Sequence, residues 1–167
     1  KVFYKLARNV ENKNKLIAGA ATILFILKLH FDDATVTKCG FGAILSLAAL
    51  EENKSKLMSL CAGEVLINGL KKHIDSFRVV ENGFSAIKNL AALQKNQSKL
   101  MSLGVGEVVI NGLKKHIDSS VVVEYGFGAI RNLVVGSQEN ESKLMLLGAG
   151  EVVINGLKKH IDSSVVV

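Results

Sequence analysis

Apolar residues in this chain follow a pattern that fits two different elements. One twelve-residue stretch, EVVINGLKKHID, occupies residues 107–118 and again residues 151–162, with a near copy at residues 64–75. Its β-branched residues lead into Asn-Gly, which is typical of a β-hairpin turn. Its apolar residues Val109, Leu113 and Ile117 lie at i, i+4 and i+8, which instead indicates one face of an α-helix.

Internal repeats decide between these two interpretations. Histidines recur at intervals of 43, 43 and 44 residues, at His30, His73, His116 and His160. When the copies are aligned on the histidines, Asn68-Gly69 falls on Phe25-Ile26 in the first copy. A type I′ turn requires positive φ at both central residues, which a β-branched Ile adopts only at a high cost. The shared segment is therefore predicted to be a helix in every copy.

The rest of each repeat also reads as helix. Residues 96–103 predict a short helix that ends at Gly104, and the middle helix follows. Asp118-Ser119 is a capping signal for a long helix that runs to about Val135. Each repeat is thus predicted to hold one short, one middle and one long helix.

The repeats predict one continuous array and not separate domains. Residues 1–10 form the tail of a preceding repeat, residues 11–50, 51–93 and 94–136 form three repeats, and residues 137–167 form a partial one. Both ends cut through repeats, so a longer parent protein is expected. Residues 98–120 and 142–164 differ at only two positions, which indicates either recent duplication or deliberate design.

Composition adds little to this interpretation. The net charge is +6, there is no Pro or Trp, and Cys39 and Cys61 form no disulfide or zinc pattern. A reducing compartment is therefore expected, cytoplasmic or nuclear. The apolar stretch at residues 16–27 is too short for a bilayer, which takes roughly 20 residues, so no membrane insertion is expected.

At the level of residues, the chain resembles the armadillo repeat family. The middle helix opens with Gly148-Ala149 and ends with Leu157-Lys158, as in that family. The long helix carries the family's series, here Val122, Gly126, Ala129-Ile130, Arg131, Asn132 and Leu133. The resemblance implies an all-α fold, a right-handed α-α superhelix (an armadillo-type solenoid) of three-helix repeats. HEAT repeats are the nearest alternative, but their units usually carry a Pro, and this chain has none.

The resemblance also implies a binding groove lined by the long helices. In the family, an Asn on each long helix hydrogen-bonds the backbone of an extended peptide, and here the matching residues are Asn9, Asn89 and Asn132. Arg8, Lys88 and Arg131 precede them and would set the charge preference, whereas Ser46 interrupts the series in the first repeat. The implied function is a protein-binding scaffold without catalysis.

The expected partner is an acidic protein or peptide segment. Armadillo proteins that bind basic nuclear-localisation signals carry a Trp four residues before the Asn. Here those positions hold Lys5, Gly42, Ser85 and Gly128. Like charges along the series would also repel a basic ligand.

Other chemistry is weakly indicated. No cofactor, metal or catalytic set is predicted, because the histidines recur about one repeat apart, roughly 10 Å for packed helices, which is too wide for a shared metal. They are expected to be structural.

A second basic series, here called the lysine edge, comprises Lys71, Lys72, Lys114, Lys115, Lys158 and Lys159. It is interpreted as helix-end charge or, alternatively, as a phosphate or nucleic-acid contact, although nucleic acid is disfavoured by the scarcity of aromatics. A further alternative is a structural or regulatory spacer arm in a larger protein.

Overall fold

The structure, a computed structural model, describes Leu6 and residues 9–162, apart from the side chain of Val10. Every regular element in this part of the chain is helical. The α-helices are α1 (Val10–Leu16), α2 (Ala20–Leu29), α3 (Ala34–Ala48), α4 (Glu51–Ser59), α5 (Ala62–Lys72), α6 (Phe77–Ala91), α7 (Gln94–Ser102), α8 (Val105–Lys115), α9 (Ser120–Val134), α10 (Gln138–Leu146) and α11 (Ala149–Lys159). A short 3-10 helix, Ile17–Gly19, joins α1 to α2.

Short, middle and long helices follow one another in the order that the sequence predicts. Helices α4, α5 and α6 have 9, 11 and 15 residues, and α7, α8 and α9 have the same three lengths. Asn111-Gly112 lies inside α8, so the helix interpretation is correct and the hairpin interpretation is wrong. The most extensive contacts are between successive long helices, α3 with α6 and α6 with α9.

The predicted start of the short helix needs a small correction. Helix α7 spans Gln94–Ser102 and therefore begins two residues earlier than expected. Gly104 ends this helix as predicted: it follows the C-cap Leu103 with φ of 86°, and it is also the residue that precedes α8. Glycine takes this left-handed backbone conformation without the Cβ clash that other residues meet. In the second repeat the same position is Cys61, with φ of 67°.

A phenylalanine of each long helix packs directly against a glycine of the next repeat. A Cβ built on Gly112 would lie 2.6 Å from Cζ of Phe84, and one on Gly69 would lie 2.7 Å from Cζ of Phe41. Real Cβ atoms do not approach so closely, so only glycine leaves space for the ring. The Gly of each Asn-Gly pair is therefore a seat for an aromatic side chain of the preceding repeat, and not a turn residue.

A second glycine contact joins two helices of the same repeat. A Cβ on Gly83 of α6 would lie 2.6 Å from Leu70 of α5, and one on Gly126 of α9 would lie 2.5 Å from Leu113 of α8. Both leucines are fully buried. The Gly-Phe pair on each long helix thus contacts one helix inside the repeat and one helix in the next.

Buried asparagines stabilise the bend after each long helix. The Nδ2 of Asn96 donates to the carbonyl of Leu90 at 2.9 Å, and Asn53 does the same to Leu47 at 3.2 Å. The Nδ2 of Asn140 donates to the carbonyl of Leu133 at 2.8 Å, but here the two residues are seven positions apart, whereas the other two pairs are six apart. Unpaired carbonyls at a helix C-terminus need such partners. In the fourth repeat the extra residue is accommodated by Gly136, with φ of 74°.

Candidate functional site

Two asparagines of the long helices, Asn89 and Asn132, each bond to the preceding long helix. Asn132 Nδ2 donates to the carbonyl of Lys88 on α6 at 2.8 Å. Asn89 Nδ2 is 3.4 Å from the carbonyl of Leu45 on α3. These bonds fix both amides in a regular row across successive long helices. An Asn amide has two N–H donors and an oxygen with two acceptor lone pairs, so each of these bonds uses one of four hydrogen-bonding positions.

A third asparagine of the same kind was missed by sequence reasoning. Asn82 Nδ2 on α6 donates to the carbonyl of Lys38 on α3 at 2.9 Å. The matching residues in the other repeats are Cys39 and Tyr125, so no recurring pattern could identify it. Asn82 and Asn89 together place two bonds between α3 and α6.

The two basic side chains of the row differ in exposure. Lys88 is half-buried; its ammonium lies 5.4 Å from the ring centroid of Tyr125, and its chain passes over Gly128. A Cβ on Gly128 would lie 2.9 Å from Cδ of Lys88. Arg131 is exposed, and its guanidinium lies 3.4 Å from Oδ1 of Asn132. Arg131 is therefore the more accessible of the two basic side chains.

At the first two positions of the predicted row, the described side chains bond within their own segment and not to a neighbouring long helix. Arg8 lies outside the described residues. Asn9 is the N-cap of α1, and its Oδ1 accepts from the backbone N–H of Glu11 and of Asn12. Ser46 is half-buried and bonds to the carbonyl of Gly42, one turn earlier in its own helix. Within the described residues, the row is therefore built by Lys88, Asn89, Arg131 and Asn132.

An acidic pair lies two turns before the basic row. Glu81 on α6 and Glu124 on α9 precede Lys88 and Arg131 by seven residues, and both are partly exposed. Glu81 is paired with the exposed Arg78 at 2.8 Å. This acidic pair was not predicted from the sequence, although its spacing of seven residues from Lys88 and Arg131 could have revealed it. The long helices α6 and α9 therefore carry an acidic side chain as well as the basic one.

The lysine edge consists of two kinds of lysine. Lys72, Lys115 and Lys159 form ion pairs with the aspartate of the preceding repeat, namely Asp32, Asp75 and Asp118. The hydrogen bond and charge of Lys72 hold the pKa of Asp32 below its usual range. The other three, Lys71, Lys114 and Lys158, are exposed. Half of the edge thus acts between repeats.

The histidines bind the same loops as these lysines. Nε2 of His73, His116 and His160 lies 2.6, 2.7 and 2.7 Å from the carbonyl of Phe31, Ile74 and Ile117, respectively. A carbonyl can only accept, so Nε2 carries the proton. The Lys-His pair of one repeat therefore binds two adjacent residues of the repeat before it, one by an ion pair and one by a hydrogen bond. This agrees with the structural role expected for the histidines.

The described residues include possible metal ligands and two cysteines. In that part of the chain no three His, Cys, Asp or Glu side chains group closely enough to bind a metal. Cys39 and Cys61 are both free thiols. Across residues 9–162, the helices are too short or too polar to cross a membrane.

Comparisons with known proteins give no further assignment. Neither family models, nor curated proteins, nor solved structures gave a match to this chain.

Proposed function

We propose that this chain is an armadillo-type α-solenoid that binds an extended acidic peptide along its successive long helices. The observation that supports this most is the regular row of Lys88, Asn89, Arg131 and Asn132 on α6 and α9. Helix-to-helix bonds fix the two amides of this row, so the second N–H of each amide is oriented before a ligand arrives. Preorganised polar groups bind with less loss of side-chain entropy.

The dimensions of the row suit an extended chain. Packed helices lie about 8–10 Å apart, and an extended peptide rises about 3.3 Å per residue. A peptide that crosses the long helices would therefore place about every third residue near an Arg or Lys. Acidic side chains at that interval would meet Lys88 and then Arg131, while the peptide backbone would face the two amides.

The lysine edge is less well suited to bind an acidic or phosphate-rich partner. Lys72, Lys115 and Lys159 are already paired with aspartates. This edge is therefore the appropriate control for the long-helix row.

A charge-reversal experiment tests the proposal. A fluorescent twelve-residue peptide with Glu at every third position is titrated with the chain, and binding is followed by anisotropy. Replacing both Lys88 and Arg131 with Glu is expected to weaken binding by about tenfold or more, since two partly exposed charge pairs become repulsive. The matched variant carries Lys71→Glu and Lys114→Glu, which changes the net charge equally, and it should bind almost normally.

Three other outcomes would contradict the proposal. Equal loss in both variants would indicate general electrostatic attraction and not a site. Loss in the lysine-edge variant alone would place the contact at the other series. No binding of acidic peptides by the unmodified chain would favour the spacer-arm alternative.

A further inference from the structure

The long helices α6 and α9 each carry an acidic and a basic side chain on one face. Glu81 precedes Lys88 on α6, and Glu124 precedes Arg131 on α9, by seven residues in both cases. Seven residues make nearly two full turns, so the members of each pair lie on the same face, about 10 Å apart along the helix axis. The basic row therefore has a parallel acidic row, here defined as Glu81 and Glu124.

The surface between the two rows is formed by small residues. Midway along each helix lie Ser85, which is buried on α6, and Gly128 on α9. The chain of Lys88 lies across Gly128 and brings its ammonium to 5.4 Å from the ring centroid of Tyr125. The basic charge of α6 thus leans towards α9. A peptide backbone that crosses the helices between the rows has side chains directed to both of them.

The acidic row already accepts a cation from within the chain. Nη1 of Arg78 lies 2.8 Å from Oε2 of Glu81, three residues further along α6. The residue of α9 that matches Arg78 is Val121, so this pairing is not repeated at Glu124. Glu124 is partly exposed. Its carboxylate is therefore the better placed of the two to accept a basic group from a ligand.

The combination of both charges on one long helix is specific to these two repeats among the three described long helices. On α3 the residue that matches Glu81 is Lys38, and the residue that matches Lys88 is Leu45. The acidic position is thus basic on α3, and the basic position is apolar. A ligand that needs both rows would accordingly be bound across α6 and α9 and not along the whole array.

We propose that this surface selects extended peptides in which basic residues are interspersed among the acidic ones. The acidic residues pair with Lys88 and Arg131, while a basic residue pairs with Glu124. This inference rests on the proposed function and names the class of peptide that the same groove takes. Successive side chains of an extended chain point to opposite sides, so one peptide presents acid to one row and base to the other. A purely acidic peptide leaves Glu124 facing like charge, which weakens binding.

Peptides of matched length test this by fluorescence anisotropy in about 0.15 M salt, which screens distant charges. The acidic peptide repeats Glu-Ser-Ser, and two mixed peptides repeat Glu-Lys-Ser or Glu-Ser-Lys, which covers both directions across the helices. The chain has a net charge of +6, so general attraction favours the acidic peptide. The proposal predicts the reverse: the better mixed peptide should bind about threefold or more tightly, as one or two partly exposed ion pairs would give.

Two double variants locate the effect. Glu81→Gln with Glu124→Gln removes the acidic row, so the preference for the mixed peptide should be lost and the acidic peptide should bind more tightly. Glu107→Gln with Glu151→Gln is the matched control, because both residues are exposed on the middle helices and the net charge changes equally. The control should keep the preference for the mixed peptide.

The outcomes separate this inference from the proposed function. If the acidic peptide binds and neither mixed peptide binds more tightly, the inference is wrong and the proposed function stands. If none of the peptides binds, the proposed function itself is wrong. A preference that survives removal of the acidic row would place the basic residues of the ligand on another surface. Equal loss of preference in both double variants would reveal a general charge effect, which also contradicts the inference.

Discussion

At the scale of single residues, Thr37 is the clearest mismatch between side chain and surroundings. Thr37 is fully buried on α3, and its hydroxyl oxygen has no hydrogen-bond partner. The matching positions in the next repeats hold Val80 and Val123, which are equally buried. Valine has nearly the same shape without the polar group, and an unpaired buried hydroxyl costs about 1–3 kcal/mol.

Thr37→Val is therefore expected to stabilise the chain by about 1 kcal/mol. Urea unfolding followed by circular dichroism measures this as a higher midpoint with an unchanged slope. Thr35→Val is the control, because Thr35 is exposed on the same helix and should change stability by less than about 0.5 kcal/mol. A destabilised Thr37→Val variant would show that the hydroxyl has a partner in solution.

Asp33 links stability to pH. As the N-cap of α3, its Oδ1 accepts from the backbone N–H of Val36 and of Thr35, and these bonds hold the pKa of Asp33 below its usual value. A lowered pKa in the folded state means that the unfolded chain binds the proton more tightly. The contribution is thus present above about pH 4 and is lost as the pH falls through the folded pKa.

Asp33→Asn is expected to flatten this acid dependence. Asparagine caps a helix about as well as aspartate but does not titrate, so the variant should lose less stability between about pH 4 and pH 2. Thermal unfolding at a series of pH values measures the difference. Asp32 and Glu139, whose pKa values are also lowered by lysine partners, remain in both proteins. Identical pH profiles would show that Asp33 contributes nothing to acid sensitivity.

At the scale of helices, the glycines inside α5, α8 and α11 reverse the usual helix rule. Gly→Ala in a helix interior normally stabilises by about 1 kcal/mol. In α8, a Cβ on Gly112 would lie 2.6 Å from Cζ of Phe84 and 3.3 Å from Cδ1 of Ile74. The ring is fully buried, so it has no free space into which to move.

Gly112→Ala is therefore expected to destabilise the chain by about 2 kcal/mol, within the range seen for overpacked cores. The neighbouring change Asn111→Ala is the control, since Asn111 is exposed and alanine there should be neutral or slightly stabilising. Chemical denaturation compares the two directly. A stabilised Gly112→Ala variant would show that Phe84 does not depend on this glycine in solution.

Helix positions were predictable from the sequence, whereas their contacts were not. Ile26 in the first repeat shows that the Asn-Gly position does not require a turn, and the helical spacing of the apolar residues predicts the helix. The contact of Phe84 with Gly112 joins two repeats, and neither residue's local pattern contains the other. The sequence likewise places Asn132 on the row but not its bond to Lys88, since an amide can bond a ligand or a neighbouring helix equally well.

At the scale of the whole molecule, the described repeats are joined by the same set of contacts each time. A phenylalanine packs against a glycine of the next repeat, and a Lys-His pair binds the loop of the preceding repeat. Contacts of this kind involve only neighbours, so the energy of the array is close to a sum of repeat and junction terms. The lysine edge follows from this architecture, because it supplies the ion pair at each junction.

Weakening the last junction should therefore affect only the end of the array. His160→Ala removes the bond of 2.7 Å from Nε2 to the carbonyl of Ile117, which is worth about 1 kcal/mol. Hydrogen exchange in α11 should accelerate about fivefold, while exchange in α3 and α6 should not change. Lys159→Ala removes an ion pair between exposed groups and should have a smaller effect, under about 0.5 kcal/mol. Accelerated exchange throughout α3 and α6 would mean that the array unfolds as one unit, and that the junctions are far stronger than the repeats themselves.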